Sequence, residues 1–376
     1  MPYLLKHFFD PDFDHLHLKP RVRGDGSVDH RDLNYVQNVV RDQVLAEFVE
    51  IEAPEDGEED VAGEGRFVFD EPAFPIGVNC RPDPRNPLRL LASVNGYVFY
   101  DEHGKIIVKS LLNVRRDVDY NTGDVVFVGD LVVHGSVRAG FRLRAAGVRV
   151  KQTVEGARLT SMGSIVCEGG IKGSGEAVLK ATQTIRAGFC ENATLVADQN
   201  VLIDGPVLHS RIYAGHKLAV KGRLTGGEVY CMDYAYIGGQ LGGGIGAATS
   251  IVAGYDPLLL YTDQQLNAQI KGLREDLEQL KLHAERGKVF AAEAAPEMES
   301  LRRRMGRLIE RKSQIWENIH ATEALDTCRV MIEGEVKPGV EISIGSAYLR
   351  VDDFLRNVCF RYRDQEIVVE SPAVKK

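Results

Sequence analysis

Residues 125–234 read VVFVGDLVVHGSVRAGFRLRAAG, VRVKQTVEGARLTSMGS, IVCEGGIKGSGEAVLKATQT, IRAGFCENATLVADQN, VLIDGPVLHSRIYAGHK and LAVKGRLTGGEVYCMDY, one phrase repeated with variations. In each phrase a short run alternates apolar and polar residues, and glycine, asparagine or aspartate turns the corner. Leu143 and Ala145 against Arg142 and Arg144 show the period of two that sends alternate side chains to opposite faces of a strand. A full turn of the pattern takes roughly 16 to 20 residues, too short for a crossover unit containing a helix, which needs about 30. The repeat therefore predicts a mainly β protein built on a single-stranded parallel β-helix, with right-handed coiling preferred over left-handed. Each coil would hydrogen-bond to the next at about 4.8 Å, so about eight coils would make a rod roughly 40 Å long with one continuous core.

The repeat ends in YIGGQLGGGIGAATSIVAGYDP, residues 236–257, where Gly242, Gly244 and Ala247 match the spacing of a dinucleotide-binding loop. Such a loop must open a helix and be followed by an acidic residue at a fixed offset. Neither is present, so these glycines are read as a turn of the β-helix, and no cofactor is expected.

After this turn the period changes. Leu266, Ile270, Leu273, Leu277, Leu280 and Ala284 follow spacings of four and three, which places them on one seam of a helix. Thr262 with Gln265 fits a capping box, and Gly287 fits a stop. A second helix is expected from Pro296, with Met298, Leu301, Met305, Leu308, Ile315 and Ile319 on its seam and Lys312 interrupting it. The short join between them makes the pair an antiparallel coiled-coil hairpin inserted into the β protein. Ile309 and Trp316 lie off the seam, and Val289 and Phe290 fall at the tip, so these four are the candidate contacts for a protein partner.

Six segments result. Residues 1–49 form a small α/β unit with one helix near Arg31 to Val49, and 50–66 an acidic linker with eight carboxylates from Glu50 to Glu64. Residues 67–117 form an entry segment of β-hairpins, with turns at Asn95-Gly96, His103-Gly104 and, just beyond it, Asn121 to Gly123. The β-helix occupies 118–257, the helical hairpin 258–326, and a further β segment 327–376 packs on the same body.

Composition narrows the class. With 44% hydrophobic and 27% charged residues, most of the chain can fold around a core. No apolar run approaches the ~18 residues of a membrane span, and the N-terminal segment turns acidic before a secretory signal could form. The six cysteines lie far apart and form no C-x-x-C pair, as expected of reduced thiols in a cytoplasmic protein. A formal charge of −8 gives no global attraction to nucleic acid.

The ordered series ASVNGYV (92–98), the quoted repeats, VAGYDP (252–257), a coiled coil and then EGEVKPGVEISIGSA (333–347) resembles the bacterial flagellar assembly protein A family over about residues 75–365. The resemblance implies a cytoplasmic protein of flagellar assembly or polar flagellar regulation, with partners in that machinery. Some members carry RNA-binding or polymerase-like labels, and no catalytic residues come with the family. Members usually have a longer N-terminal domain than the roughly 70 different-looking residues found here.

For chemistry in the residues themselves, DPDFDHLHLK offers Asp10, Asp12, Asp14, His15 and His17, read as a polar edge strand because no second cluster would close a metal shell. Arg142, Arg144, Arg149 and Lys151 fall on outward positions and would align into a basic stripe able to contact phosphates, the RNA-binding alternative. Phe141 is the one ring nearby for base stacking. Ile212, Leu218 and Leu224 have the hexapeptide spacing of β-helical acyltransferases, but glycine insertions break it elsewhere and no histidine stands out as a base. The reading is a non-enzymatic scaffold that holds protein partners, with self-association through the coiled coil or β-helix and no membrane span.

Overall fold

The computed structural model describes all residues except 1, 15–17, 19, 23, 25–27, 52–66, 245–246, 286 and 372–376. His15, His17 and most of the acidic linker lie outside the described residues. The chain divides into two compact units, Met1–Thr182 with Arg186–Gly188, and Gln183–Ile185 with Phe189–Lys376.

The first unit begins with a five-stranded antiparallel sheet in the order Val68–Phe69, Tyr3–His7, Val44–Glu50, Arg89–Ala92, Cys80–Pro82. Leu5, Leu45, Phe48 and Leu90 form its core. The helix expected near Arg31 to Val49 is not formed, so the N-terminal unit is all-β among the described residues rather than α/β. The reason is pairing at a distance: Leu5 lies opposite Phe48 and His7 opposite Ala46, and a strand partner gives Val44 to Glu50 both its hydrogen bonds and its burial. In the entry segment, Gly96–Tyr100 and Ile106–Lys109 make a hairpin. Asp101 closes its turn by accepting from the His103 and Lys105 amides at 2.9 and 2.8 Å.

The coil then starts. Leu111–Val114, Asp130–Val133, Val148–Val150 and Ile165–Cys167 stack in parallel as one face. Val125–Val126, Arg142–Ala145, Arg158–Ser161 and Gly170–Ala181 stack as a second. A narrow third ladder joins Val118, Val137, Val154 and Ile171, none of which has exposed surface. Stacked partners are 16 to 20 residues apart, as in Arg142 with Arg158 and Arg158 with Val178.

In the second unit the same coil runs through Asn200–Ile203, Lys217–Val220, Tyr234–Ile237 and Arg329–Val336 on one face. Cys190–Ala197, Val207–Ala214, Leu224–Cys231, Thr249–Ala253 and Val340–Ile344 form the other. The solenoid has about seven turns in all. Tyr234 pairs directly with Arg329 and Ala253 with Ile344, so the helices between Ala253 and Arg329 are an insertion that leaves the stack unbroken. Antiparallel strands Ala347–Arg350, Leu355–Arg363 and Glu366–Glu370 finish the unit.

The glycine run is a turn of this coil. Leu241 is fully buried and bridges Leu224 and Val336, and Gly242, Gly243 and Gly244 follow at φ 79, 81 and 120°, a region closed to most side chains.

Helix α1, Pro257–Ala284, starts earlier than the capping box suggested. Asp256 caps it, accepting from the Leu258 amide at 2.8 Å, and a proline in the first turn adds a preset φ. Thr262 instead lies inside α1 and bonds the Leu258 carbonyl at 2.7 Å. Helix α2, Lys288–Asn318, also begins before the expected Pro296, which sits in its interior. The alanine-rich start KVFAAEAA favours helix strongly enough to extend past the one hydrogen bond that proline removes.

Candidate functional site

Two surfaces gather the residues singled out in the sequence. The first is the helical pair. Leu266, Ile270, Leu273 and Leu277 of α1 are buried, while Leu301, Met305, Leu308 and Ile315 of α2 are half-buried. Lys312 finds a counter-charge at its break in the seam: its Nζ lies 4.0 Å from Oδ1 of Asp263, which also accepts from Asn267 at 2.9 Å. Asp263 is near the start of α1 and Lys312 near the end of α2. At the other end the ring of His283 meets that of Phe290 edge-on at 5.0 Å. The two helices therefore run antiparallel.

Ile309 and Trp316, two helical turns apart, share a face of α2 and remain 41% and 54% exposed. Phe290 is 41% exposed beside His283, in the first turn of α2. Val289 occupies the same turn, with its side chain outside the described residues. Thus Ile309 and Trp316 form one patch, and Val289 and Phe290 lie apart from it near the far end.

The base of α1 is fastened to the coil through tyrosines that the sequence did not flag. Tyr213 and Tyr230, neighbours in adjacent turns, stack at 4.9 Å with their rings 5° apart, and Tyr261 of α1 meets Tyr213 edge-on at 5.1 Å. Gln264 of α1 accepts from the Tyr213 hydroxyl and donates to that of Tyr230 at 3.2 Å. Burial holds both phenols protonated, raising their pKa.

The second surface belongs to the first unit. The segment from Asp29 to Asn38 lies against residues 124–128 and Gly140 and is pinned at two points. At one, Asp124 donates its amide to the Arg31 carbonyl at 2.7 Å, and Arg31 reaches the Gly140 carbonyl at 3.1 Å, 5.8 Å over the Phe141 ring. At the other, Asn38 donates to the Val126 carbonyl at 2.7 Å and accepts from the Val128 amide at 3.0 Å. Between it and the strands lies an open cavity of about 500 Å³ whose lining includes Tyr35, Asn38, Arg142, Arg144, Arg158 and Thr160 together with Asp29, Asp32 and Asp124. A wider hollow of about 920 Å³ shares Arg142 and Arg158 and extends to Tyr120 and Glu176.

The four cations expected in one stripe are divided. Arg142 and Arg144 enter the cavity. Arg149 stands on the other face, paired with Glu168 at 3.0 Å, and Lys151 follows at the corner. Successive strands lie on different faces, so the neighbour of Arg142 is the residue one full turn later, Arg158. Arg142 is paired with Asp124 at 2.7 Å, whose hydrogen bond raises its pKa further. Arg144 and Arg158 have no ion pair among the described residues. Arg158 escaped the sequence reading, although the 16-residue repeat from Arg142 points to it.

Elsewhere, Asp10 and Asp12 sit in a turn in which Asp10 accepts from the Asp12 amide at 3.0 Å. No group of three or more metal-ligating side chains occurs among the described residues, and no helix is long and apolar enough to cross a membrane.

No curated protein and no solved structure matches the chain. The family model of the Flagellar Assembly Protein A beta solenoid domain matches residues 110–367, and the chain belongs to that family.

Proposed function

We propose that this member of the flagellar assembly protein A family is a non-enzymatic cytoplasmic scaffold, which presents the α1–α2 coiled coil as an arm to a protein partner of the flagellar or polar machinery. Family membership supports the flagellar role. The observation that carries the scaffold reading is the exposed pair Ile309 and Trp316, which lies off the half-buried seam of α2. An indole left half in water on a rigid helix face is the kind of anchor that interfaces concentrate. The Tyr213–Gln264–Tyr230 junction supports the other half of the reading, because it fixes the base of the arm to the coil.

Replacing Ile309 and Trp316 together by Ser in the flagellated host tests the proposal. Filament number counted by electron microscopy is expected to fall while the purified protein melts at the same temperature as the parent. Normal flagellation in that strain would overturn the reading. The same variant in analytical ultracentrifugation separates a second copy of this chain from another protein as the occupant of the patch.

A further inference from the structure

We infer that the cavity beneath residues 29–38 is a binding site for a small organic diphosphate, such as a nucleoside diphosphate, held by Arg144 and Arg158. Arg142 and Arg158 lie directly opposite on adjacent strands, an arrangement that like charges disfavour. Asp124 neutralises Arg142 at 2.7 Å, with Asp29 and Asp32 also acting on Arg142, while Arg158 has no ion pair among the described residues. Arg144 and Arg158 sit diagonally across the same two strands, with Thr160 next to Arg144 in the ladder. Two guanidinium forks and a hydroxyl on one rigid sheet face form a donor set suited to adjacent phosphate groups.

The remaining lining argues for a small ligand over a continuous polyanion. At about 500 Å³ the cavity is within the size range of small-molecule sites. Asp29, Asp32 and Asp124 share the lining with the arginines, so a continuous run of phosphates would be repelled. A ligand with its charge at one end avoids them, and its uncharged ring would lie toward Tyr35, whose phenol burial keeps neutral.

Calorimetric titration of the full chain with pyrophosphate, ADP, adenosine and oligouridylate tests this. Pyrophosphate and ADP are expected to bind one per chain and adenosine not at all. Arg144→Ala and Arg158→Ala should each weaken ADP about tenfold or more, and Arg149→Ala should leave it unchanged. Arg158→Lys, which keeps the charge and removes the fork, should also weaken it, and melting curves without ligand show that each variant is folded. The inference is overturned by an absence of binding to both phosphates, by unchanged affinity in the Arg144 and Arg158 variants, or by oligouridylate binding more tightly than ADP.

Discussion

Tyr213, a ring without exposed surface in the coil, donates its hydroxyl proton to Gln264 of the first helix. This is a polar bond in an apolar junction, so its loss has two readouts. Gln264→Leu would leave the Tyr213 hydroxyl without its acceptor, at a cost of about 1–3 kcal/mol. The melting temperature should drop, and hydrogen exchange should rise in the first two turns of α1 more than in α2. Exchange that rises evenly over the protein would show that the junction does not fix the arm.

Asp263 and Lys312 form an ion pair within a hydrophobic seam. Lys312→Leu should destabilise by about 1–3 kcal/mol, because it leaves the Asp263 carboxylate, 11% exposed, without its cation. Adding Asp263→Leu should restore the melting temperature to the parental value or above, since an apolar pair of similar volume carries no desolvation cost. A double variant less stable than the parent would show that the charges contribute net stability.

Two glycines should respond in opposite directions to alanine. At Gly242, φ is 79° and an added Cβ would stand 2.3 Å from the Cγ2 of Val340, a stiff side chain of the next turn. Gly242→Ala should therefore cost more than about 1 kcal/mol. Gly272, inside α1, has nothing within 4 Å of such an atom, and Gly272→Ala should gain about 0.5–1 kcal/mol. Denaturant midpoints of the two variants give the signs directly.

Asp117 ties neighbouring turns together and should shape the response to acid. It accepts from the Ser136 amide at 2.8 Å and from Arg138 Nε at 2.9 Å, and Arg138 also reaches Glu155 at 3.0 Å. The Ser136 amide first, then Arg138, hold its pKa below the ordinary 3.8. A carboxyl depressed in the folded state binds its proton more readily when unfolded. Its contribution is thus present above 3.8 and is lost as pH falls through the lower folded value. Asp117→Asn should lower the melting temperature at neutral pH and flatten its decline below about pH 4. A parallel decline in parent and variant would remove Asp117 from the acid response.

The parallel coil was legible because the signal is local. Leu143 and Leu159 point inward and Arg142 and Arg158 outward through the same period of two in each turn. The seam from Leu266 to Leu277 was legible for a similar reason, at a helical period. The reading failed where the deciding partner lies elsewhere in the chain. Val44 to Glu50 is a strand because Tyr3 to His7 lies beside it, and α2 runs through Pro296 because the helix is already propagating from Lys288.

The candidate sites divide along the same line. That Ile309 and Trp316 share a helix face follows from their spacing of seven, and that Arg142 and Arg144 point outward follows from alternation. The sequence by itself therefore determined the coil, the inserted helices, and which side chains meet water, since each is a question of one residue and its near neighbours. The tertiary structure decided which of those side chains meet one another. Stacking placed Arg158 beside Arg142 and Arg149 on another face, the returning segment brought Tyr35 and Asn38 to a cavity shared with Arg142 and Arg158, and Gln264 met Tyr213. Those contacts join residues far apart in the chain, and a period along the sequence carries no information about them until the register between turns is set.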